Sequence, residues 1–362
     1  MIGDRIRLAR NKAGLSLRDL ATEMKDLVTA QAIGKYERGE DVPSSKVLNA
    51  LAKALDVSLN YLLDTQGIVL AGVEFRTKAN TTAKDRAHVE TEVLEWIERY
   101  LQIELVLDLD SAKWQCPVPC PVKLADIDDA EQLAKDVREA WKLGLDPIPN
   151  MTELLEEKGL KVLTVPLPDR VSGFTCLIGR GKGQPSLPVI VVNDQFSQER
   201  RRLTLAHELA HRLIDPDCLD EKDEEKAATL FAGALLMPRE HVLREVGKHR
   251  NALGYTEIVD LKRIYRVSGM ALLMRLRQLD VISQSTLIYA FQTIARGWRT
   301  QEPEELEKPA KRGQRERARR FERLSYRALA EGLISLQKAA ELLRLPMAEV
   351  EDGLKGPQIA NA

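Results

Sequence analysis

One stretch of the 362-residue chain constrains its fold more than any other: TLAHELAHRLID, residues 204–215, which holds two of the five histidines. Residues four apart on a helix lie one above the other, so His207 and His211 can both bind a single ion. Glu208 lies about 100° around that helix, within reach of a water molecule on the ion. In this H-E-x-x-H spacing, zinc lowers the pKa of the water toward about 7 and the carboxylate takes its proton. The alternative, an amphipathic helix that contains these residues by chance, leaves two imidazoles on an apolar face with few partners.

Zinc also requires a third protein ligand, and the helical stretch EEKAATLFAGALLMP at residues 224–238 offers two glutamates. Glu225 falls on the apolar stripe of this helix, whereas Glu224 is expected to point toward solvent. The stripe comprises Ala228, Phe231, Ala232 and Leu235. The predicted ligands of one zinc ion per chain are therefore His207, His211 and Glu225, with Glu208 as the catalytic base.

The sequence offers several candidates, without a choice among them, for the groups that orient a ligand, dock the substrate and stabilise an oxyanion. A carboxylate just after the motif, from Asp215 or Asp217, is a candidate to orient a ligand histidine. A strand such as PVIVVND, residues 188–194, could dock an extended peptide along a free edge. Candidates by residue type alone for stabilising an oxyanion are His241, His249 and Tyr255.

The first 65 residues predict a bundle of short helices. The stretch after Ser16 begins with a capping box, and Thr29 can cap a third helix that stops near Gly39. Two helices joined by a tight turn form a helix-turn-helix, whose second helix enters the DNA major groove. The segment is near neutral, with ten basic and nine acidic residues, so a helical bundle that contacts only proteins is the alternative.

This segment resembles the Cro/CI-like, or Xre-type, DNA-binding domain. The matching stretches are GLSLRDLA, QAIGKYERG and PSSKVLNALAKALDV. The resemblance implies that four residues of the third helix and its start face DNA: Thr29, Gln31, Ala32 and Lys35. Gln31 suits a bidentate contact with adenine, and Lys35 suits phosphate or guanine.

Residues 128 to about 245 are similar to the ImmA/IrrE family of metallopeptidases. The matching stretches are REAWKLGLDPIPNMTELLEEKGLKV, VSGFTC, PVIVVND, RRRLTLAHELAH and the pattern E-x-x-A-x-x-F-A-x-x-L-L-M-P. The resemblance implies the same ligands and base, and a helix-turn-helix repressor or antitoxin as the protein substrate. Two positions depart from the family: many members have Asn in place of Thr229, and many have His in place of Asp215.

Composition and charge exclude a membrane protein and leave other classes open. No apolar run approaches the roughly 20 residues of a membrane span, and the amino terminus has no signal-peptide pattern, so we expect a cytoplasmic protein. Four cysteines are too few for a disulfide framework, so we expect reduced thiols, with Cys116 and Cys120 as surface cysteines rather than half a zinc site. Residues 311–323 hold seven basic and two acidic residues and are interpreted as a solvated linker, with nucleic-acid contact as the alternative.

These patterns predict a multidomain protein: an all-α helix-turn-helix domain, an α+β zincin-like metallopeptidase domain and a small helical C-terminal module. The predicted boundaries are 1–65, a connecting region 66–127, 128–297, a charged linker 298–320, and 321–356. The predicted function is a DNA-binding regulator, expected to be a homodimer on double-stranded DNA, whose zinc peptidase cleaves a partner repressor or antitoxin, or the chain itself. The alternative is a transcription factor whose metal site is sensory or structural.

Overall fold

The computed structural model describes residues 2–63, 69–71, 83–109, 113–169, 171–180, 185–298, 300–308 and 314–355. The chain divides into two compact units. The first comprises residues 1–113, 176–187 and 319–362, and the second comprises 114–175 and 188–318. Within the described ranges, no helix is both long and apolar enough to cross a membrane.

The described elements are helical, apart from one small sheet. In chain order they are α1 (Ile2–Ala13), α2 (Leu17–Glu23), α3 (Ala30–Glu37), α4 (Ser45–Leu55), α5 (Leu59–Leu63), β1 (Val69–Ala71), α6 (Ala83–Val106), α7 (Asp129–Ala140), α8 (Met151–Glu157), β2 (Lys161–Val165), β3 (Gly173–Gly179), β4 (Leu187–Asn193), α9 (Gln198–Leu213), α10 (Glu221–Leu236), α11 (Arg239–Val246), α12 (Tyr255–Tyr265), α13 (Gly269–Gln278), α14 (Gln284–Gln292), α15 (Arg320–Ala330), α16 (Leu336–Leu343) and α17 (Met347–Lys355).

Helices α2 and α3 begin where their capping residues predict. The Ser16 hydroxyl accepts a hydrogen bond from the backbone N–H of Asp19, whose carboxylate accepts from the Ser16 N–H in return. The Thr29 hydroxyl accepts from the N–H of Ala32 at the start of α3. Ile6, Leu20, Ile33, Leu51 and Tyr61 are fully buried and form the shared core.

The predicted C-terminal module is part of the first unit rather than a separate body. Helix α6 packs against α1 and also against α15. Phe321 of α15 lies with its ring 5.6 Å from that of Tyr100 and 6.4 Å from that of Trp96, both on α6. Arg99 donates a hydrogen bond to the carbonyl of Leu342 at 2.7 Å. The predicted boundary near residue 65 therefore separates helices that pack together.

In the second unit, β2 runs parallel to β4 with Lys161 opposite Val189, and β3 lies on the other side of β4. In the first unit, β1 pairs antiparallel with the end of β3, with Val69 opposite Gly179. Strand β4 is central, so the expectation that PVIVVND has a free edge is wrong. A Cβ on Gly173 would lie 2.5 Å from the carbonyl oxygen of Val191, so close contact between β3 and β4 requires glycine there. Helix α10 packs against both α9 and α7 over the main core.

The segment predicted as a solvated charged linker is anchored in the second unit. Its carboxylates meet buried cations that the sequence pattern did not reveal, and this pairing is the physical reason for the correction. The Arg201 guanidinium lies 3.0 Å from Glu307, and both side chains are buried. The three pairs are Lys262 with Glu302, Arg201 with Glu307, and Arg202 with Glu316.

The cysteines also differ from expectation. Cys116 and Cys120 are joined in a disulfide, so the prediction of reduced thiols is wrong for this pair. Cys176 and Cys218 remain thiols. The paired cysteines lie four positions apart in the sequence, which is close enough for a local bridge that needs no wider framework.

Candidate metal centre

Helix α9 presents the two histidines because its opposite face is apolar. The hydroxyl of Ser197 accepts a hydrogen bond from the Arg200 N–H and begins the helix. Leu205 and Leu209 are fully buried, whereas His207 and His211 are partly exposed. The apolar face therefore fixes the rotation of the helix about its axis and turns both imidazoles toward α10.

The three predicted ligands lie together. The Nε2 atoms of His207 and His211 are 3.1 Å apart. Glu225 places Oε2 at 3.3 Å from the Nε2 of His207 and Oε1 at 3.4 Å from the Nε2 of His211. Ligands at about 2.0–2.1 Å from a tetrahedral zinc ion lie roughly 3.3 Å from one another, so these separations fit zinc. Among the described residues, this is the one group of His, Cys, Asp and Glu donors close enough to share an ion.

Each histidine is held through its other ring nitrogen. The Nδ1 of His211 lies 3.1 Å from Oε1 of Glu224, an acceptor, so this nitrogen carries the proton. The Thr229 hydroxyl donates to the carbonyl of Glu225 at 2.9 Å and lies 3.5 Å from the Nδ1 of His207, where its oxygen can accept. Both arrangements leave the Nε2 lone pairs directed at the cluster.

The expectation that Glu224 points toward solvent is wrong. Glu224 is 3% exposed and lies on the buried stripe of α10, one helical turn before Ala227 and Ala228. Glu225 lies at the rim of that stripe, with 44% of its side chain exposed. The contact with His211 makes burial of the Glu224 carboxylate favourable, and apolar periodicity alone does not reveal such a partner. Of the two aspartates suggested to orient a ligand, Asp215 instead accepts from the N–H of Asp217.

The electrostatics of the cluster favour a charged carboxylate. The contacts of the Glu225 carboxylate with the imidazole of His207 and then with that of His211 lower the pKa of Glu225 far below its usual range. Glu208 follows His207 on the same helix and is 8% exposed. The site therefore offers two imidazole nitrogen donors, one anionic oxygen donor and a nearby carboxylate outside the predicted ligand set.

Two family models match parts of the chain. Residues 155–277 match the Peptidase M78 model, described as the IrrE N-terminal-like domain, and residues 6–62 match a helix-turn-helix model. The chain joins these two domains. The first match contains the metal cluster and Glu208, and it starts later than the region 128–245 that we predicted from the resemblance. No curated protein matches the chain.

In the helix-turn-helix domain, α3 presents the residues predicted to face DNA. Thr29, Gln31 and Lys35 are exposed and Ala32 is half-buried, whereas Ile33 and Tyr36 on the opposite face are buried. The hydroxyl of Thr29 is occupied as the cap of α3. The exposed face therefore presents the amide of Gln31 and the ammonium group of Lys35 to solvent.

In the IrrE N-terminal-like domain and the residues after it, the candidates for oxyanion stabilisation do not join the metal cluster. His241 pairs its Nδ1 with the hydroxyl of Tyr265 at 2.7 Å. His249 is exposed, and Tyr255 packs its ring 6.3 Å from that of Trp298. The sequence patterns did not predict the contacts of Glu224 and Thr229 with the two histidines. For Glu224, the signal in the sequence is the pair of adjacent glutamates in the first turn of α10.

Proposed function

We propose that the chain is a DNA-binding transcriptional regulator whose IrrE N-terminal-like domain is a zinc-dependent endopeptidase. The substrate in this proposal is a partner repressor or antitoxin of helix-turn-helix type, or the chain itself. The observation that carries the proposal is the cluster of His207, His211 and Glu225, with 3.1–3.4 Å between donor atoms. The proposal is also supported by the presence of a metallopeptidase-like domain and a helix-turn-helix domain in one chain, because such a chain could couple peptide hydrolysis to the control of transcription.

In this proposal, three residues bind the zinc ion and a fourth acts as the general base. His207 and His211 would hold zinc through Nε2, and Glu225 would hold it through a carboxylate oxygen. A bound zinc ion would act as a Lewis acid that makes a water molecule acidic near neutral pH. Glu208, outside the ligand set, would take the proton from the attacking water and deliver it to the leaving amine.

A structural metal site is the alternative, and the donor set favours catalysis. Structural zinc sites are closed by four protein ligands, whereas catalytic sites use three and keep one position open. Within the described part of the chain, three donors converge, and Glu225 lies at the exposed rim. A structural site also has no use for a carboxylate in the position of Glu208.

The peptidase proposal is tested by zinc content and cleavage. The wild-type chain and its variants are incubated with zinc and with purified helix-turn-helix repressors, including any encoded by genes next to that of this chain, and self-cleavage is followed in parallel. We expect Glu208→Gln to keep zinc and to lose cleavage by 10²-fold or more, on the order of a general base's contribution. Glu225→Ala should lose zinc. Glu221→Gln, an exposed acid on the same helix, is the matched control. Unchanged cleavage by the Glu208 variant refutes the mechanism, and cleavage by none of the proteins favours the sensory or structural alternative.

The DNA assignment is tested separately. Gln31→Ala and Lys35→Ala should weaken binding to the promoter DNA of the chain's own gene in a gel shift, by about tenfold for each lost base or phosphate contact. Lys222→Ala removes one exposed charge from α10 and serves as control. Binding that is the same in all four proteins removes the assignment to α3.

The expected homodimer and location belong to the same proposal. Helix-turn-helix dimers bind two half-sites about one helical turn apart, so sedimentation of the protein with and without DNA measures the assembly. A regulator that contacts DNA works in the compartment that holds the DNA, which supports the expected cytoplasmic location.

A further inference from the structure

We propose that Cys116 and Cys120 form a reversible redox-modification site that takes a dithiol as its reductant and acts on the C-terminal end of α9. The inference rests on the proposed function, because it assigns a control to the proposed metal centre. Cys120 is exposed, so its sulfur is open to a reductant, whereas Cys116 is half-buried and packs against the core.

A backbone contact links this site to the metal helix. The N–H of Val122 donates to the carbonyl of Leu213 at 2.7 Å, and the carbonyl of Val122 accepts from the N–H of Asp215 at 2.9 Å. Leu213 is the last residue of α9, and its carbonyl has no partner within the helix. Val122 therefore caps α9 two residues beyond the ligand His211.

The disulfide restrains the residue that makes this cap. It joins a cysteine fixed on the core to Cys120, two residues before Val122, with 6.3 Å between the two Cα atoms. A bridge across a short loop removes conformations that the open chain would sample. Reduction restores them to residues 117–121, and the cap at Val122 then keeps only its two hydrogen bonds and its packing against the core.

The setting of the disulfide indicates that it is not a permanent staple. Thiol buffers keep cysteines reduced in cytosolic and nuclear compartments, and a disulfide there is usually transient, catalytic or redox-sensing. The helix-turn-helix domain requires the chain to meet DNA. A local disulfide with an exposed sulfur in such a chain fits a reversible site better than a structural framework.

The chemistry balances as a thiol–disulfide exchange. One thiolate of the dithiol attacks Sγ of Cys120, the bond between Cys116 and Cys120 breaks, and Cys116 leaves as a thiolate that takes a proton from water. The second thiolate of the reductant then attacks the mixed disulfide and releases Cys120 as a thiol. The protein gains two electrons and two protons, and the dithiol leaves as its own disulfide. A small-molecule disulfide drives the reverse reaction.

The test compares the full-length chain in its two redox states. One sample is oxidised with glutathione disulfide, another is reduced with dithiothreitol, and both are desalted before thiol labelling. Amide hydrogen exchange is followed at residues 211–215, and zinc affinity is measured by competition with a chromophoric chelator. The variant Cys116→Ser/Cys120→Ser represents the permanently reduced state. Cys218→Ser keeps the disulfide and is the matched control.

We expect exchange at the end of α9 to be faster, and zinc affinity weaker, by about tenfold in the reduced protein and in the double variant. The control should respond to reduction as wild type does. The inference is overturned if the labelled thiols do not return to a disulfide on oxidation, or if exchange at residues 211–215 is equal in the two states. Absence of zinc binding in every sample, with the difference in exchange retained, instead refutes the proposed metal function and leaves the redox effect on α9 supported.

Discussion

The two histidines of the cluster are held by neighbours that are not among its three donors. Glu224 accepts from the Nδ1 of His211, and it is 3% exposed, so solvent cannot replace it without cost. A carboxylate on the far nitrogen fixes the tautomer, orients the ring and makes Nε2 a stronger donor. Among the residues outside the predicted ligand set, Glu224 is therefore the one whose loss we expect to lower zinc affinity most.

We predict a graded loss of zinc affinity at Glu224. Glu224→Gln keeps an oxygen that accepts from Nδ1 but removes the charge, so affinity should fall by about tenfold; Glu224→Ala removes both and should cost about a hundredfold. Competition titration against a chelator measures this, with Glu221→Gln as control. Equal affinities in all of these proteins would mean that His211 is oriented by packing alone.

The sequence was enough to predict that His207, His211 and Glu225 lie together, but not to predict the residues that hold them in place. The i, i+4 spacing of His207 and His211 is a property of any helix, so it can be seen without a structure. Whether Glu224 or Glu225 is buried depends on how α10 is rotated about its own axis where it packs against α9. Neighbouring residues on a helix are about 100° apart, so the rotation must be known more accurately than that to tell the two glutamates apart. Apolar periodicity does not resolve that angle when acids border the stripe.

At the scale of elements, the sequence predicts where helices begin but does not predict the ion pairs between residues far apart in the chain. Caps such as Thr29 are local signals, and α3 begins where this one predicts. The partners of Arg201 and Arg202 on α9 lie more than a hundred residues further along the chain, at Glu307 and Glu316. No periodicity links such positions, so the sequence pattern alone predicts a solvated linker for the segment that carries these two glutamates.

We predict that Glu316→Ala lowers the free energy of unfolding of the second unit by about 3–5 kcal/mol, because it leaves the fully buried Arg202 unpaired. Glu316 also accepts hydrogen bonds from the backbone N–H groups of Met151 and Thr152 at the start of α8. Burial lowers the pKa of Arg202, and the Glu316 carboxylate opposes that shift. Urea unfolding measures the loss.

The double variant Arg202→Met/Glu316→Gln separates pairing from packing. It removes the buried charge together with its partner and keeps an acceptor for the two N–H groups, so it should be more stable than Glu316→Ala. If both variants unfold at the urea concentration of wild type, the segment around residue 316 does not stabilise α9.

At the scale of the whole molecule, the chain has fewer bodies than the sequence predicted. Linkers and charge runs suggested five segments, whereas α6, α15 and the helix-turn-helix domain belong to one compact unit. The reason is an aromatic contact: Trp96 and Tyr100 of α6 meet Phe321 from the far end of the chain. Contacts between segments so distant in sequence cannot be inferred from composition.

This organisation predicts that a substitution near the carboxy terminus destabilises the DNA-binding unit. Phe321→Ala should cost about 3 kcal/mol, because it opens a cavity between α15 and the aromatic residues of α6. Helix α6 supports α1, so the amides of both helices should exchange faster and DNA binding should be lost at a lower temperature. Leu354→Ala, an exposed apolar residue on α17, is the control. Independent modules would instead confine the change in exchange to residues 319–355 and leave α1 and the temperature dependence of DNA binding as in wild type.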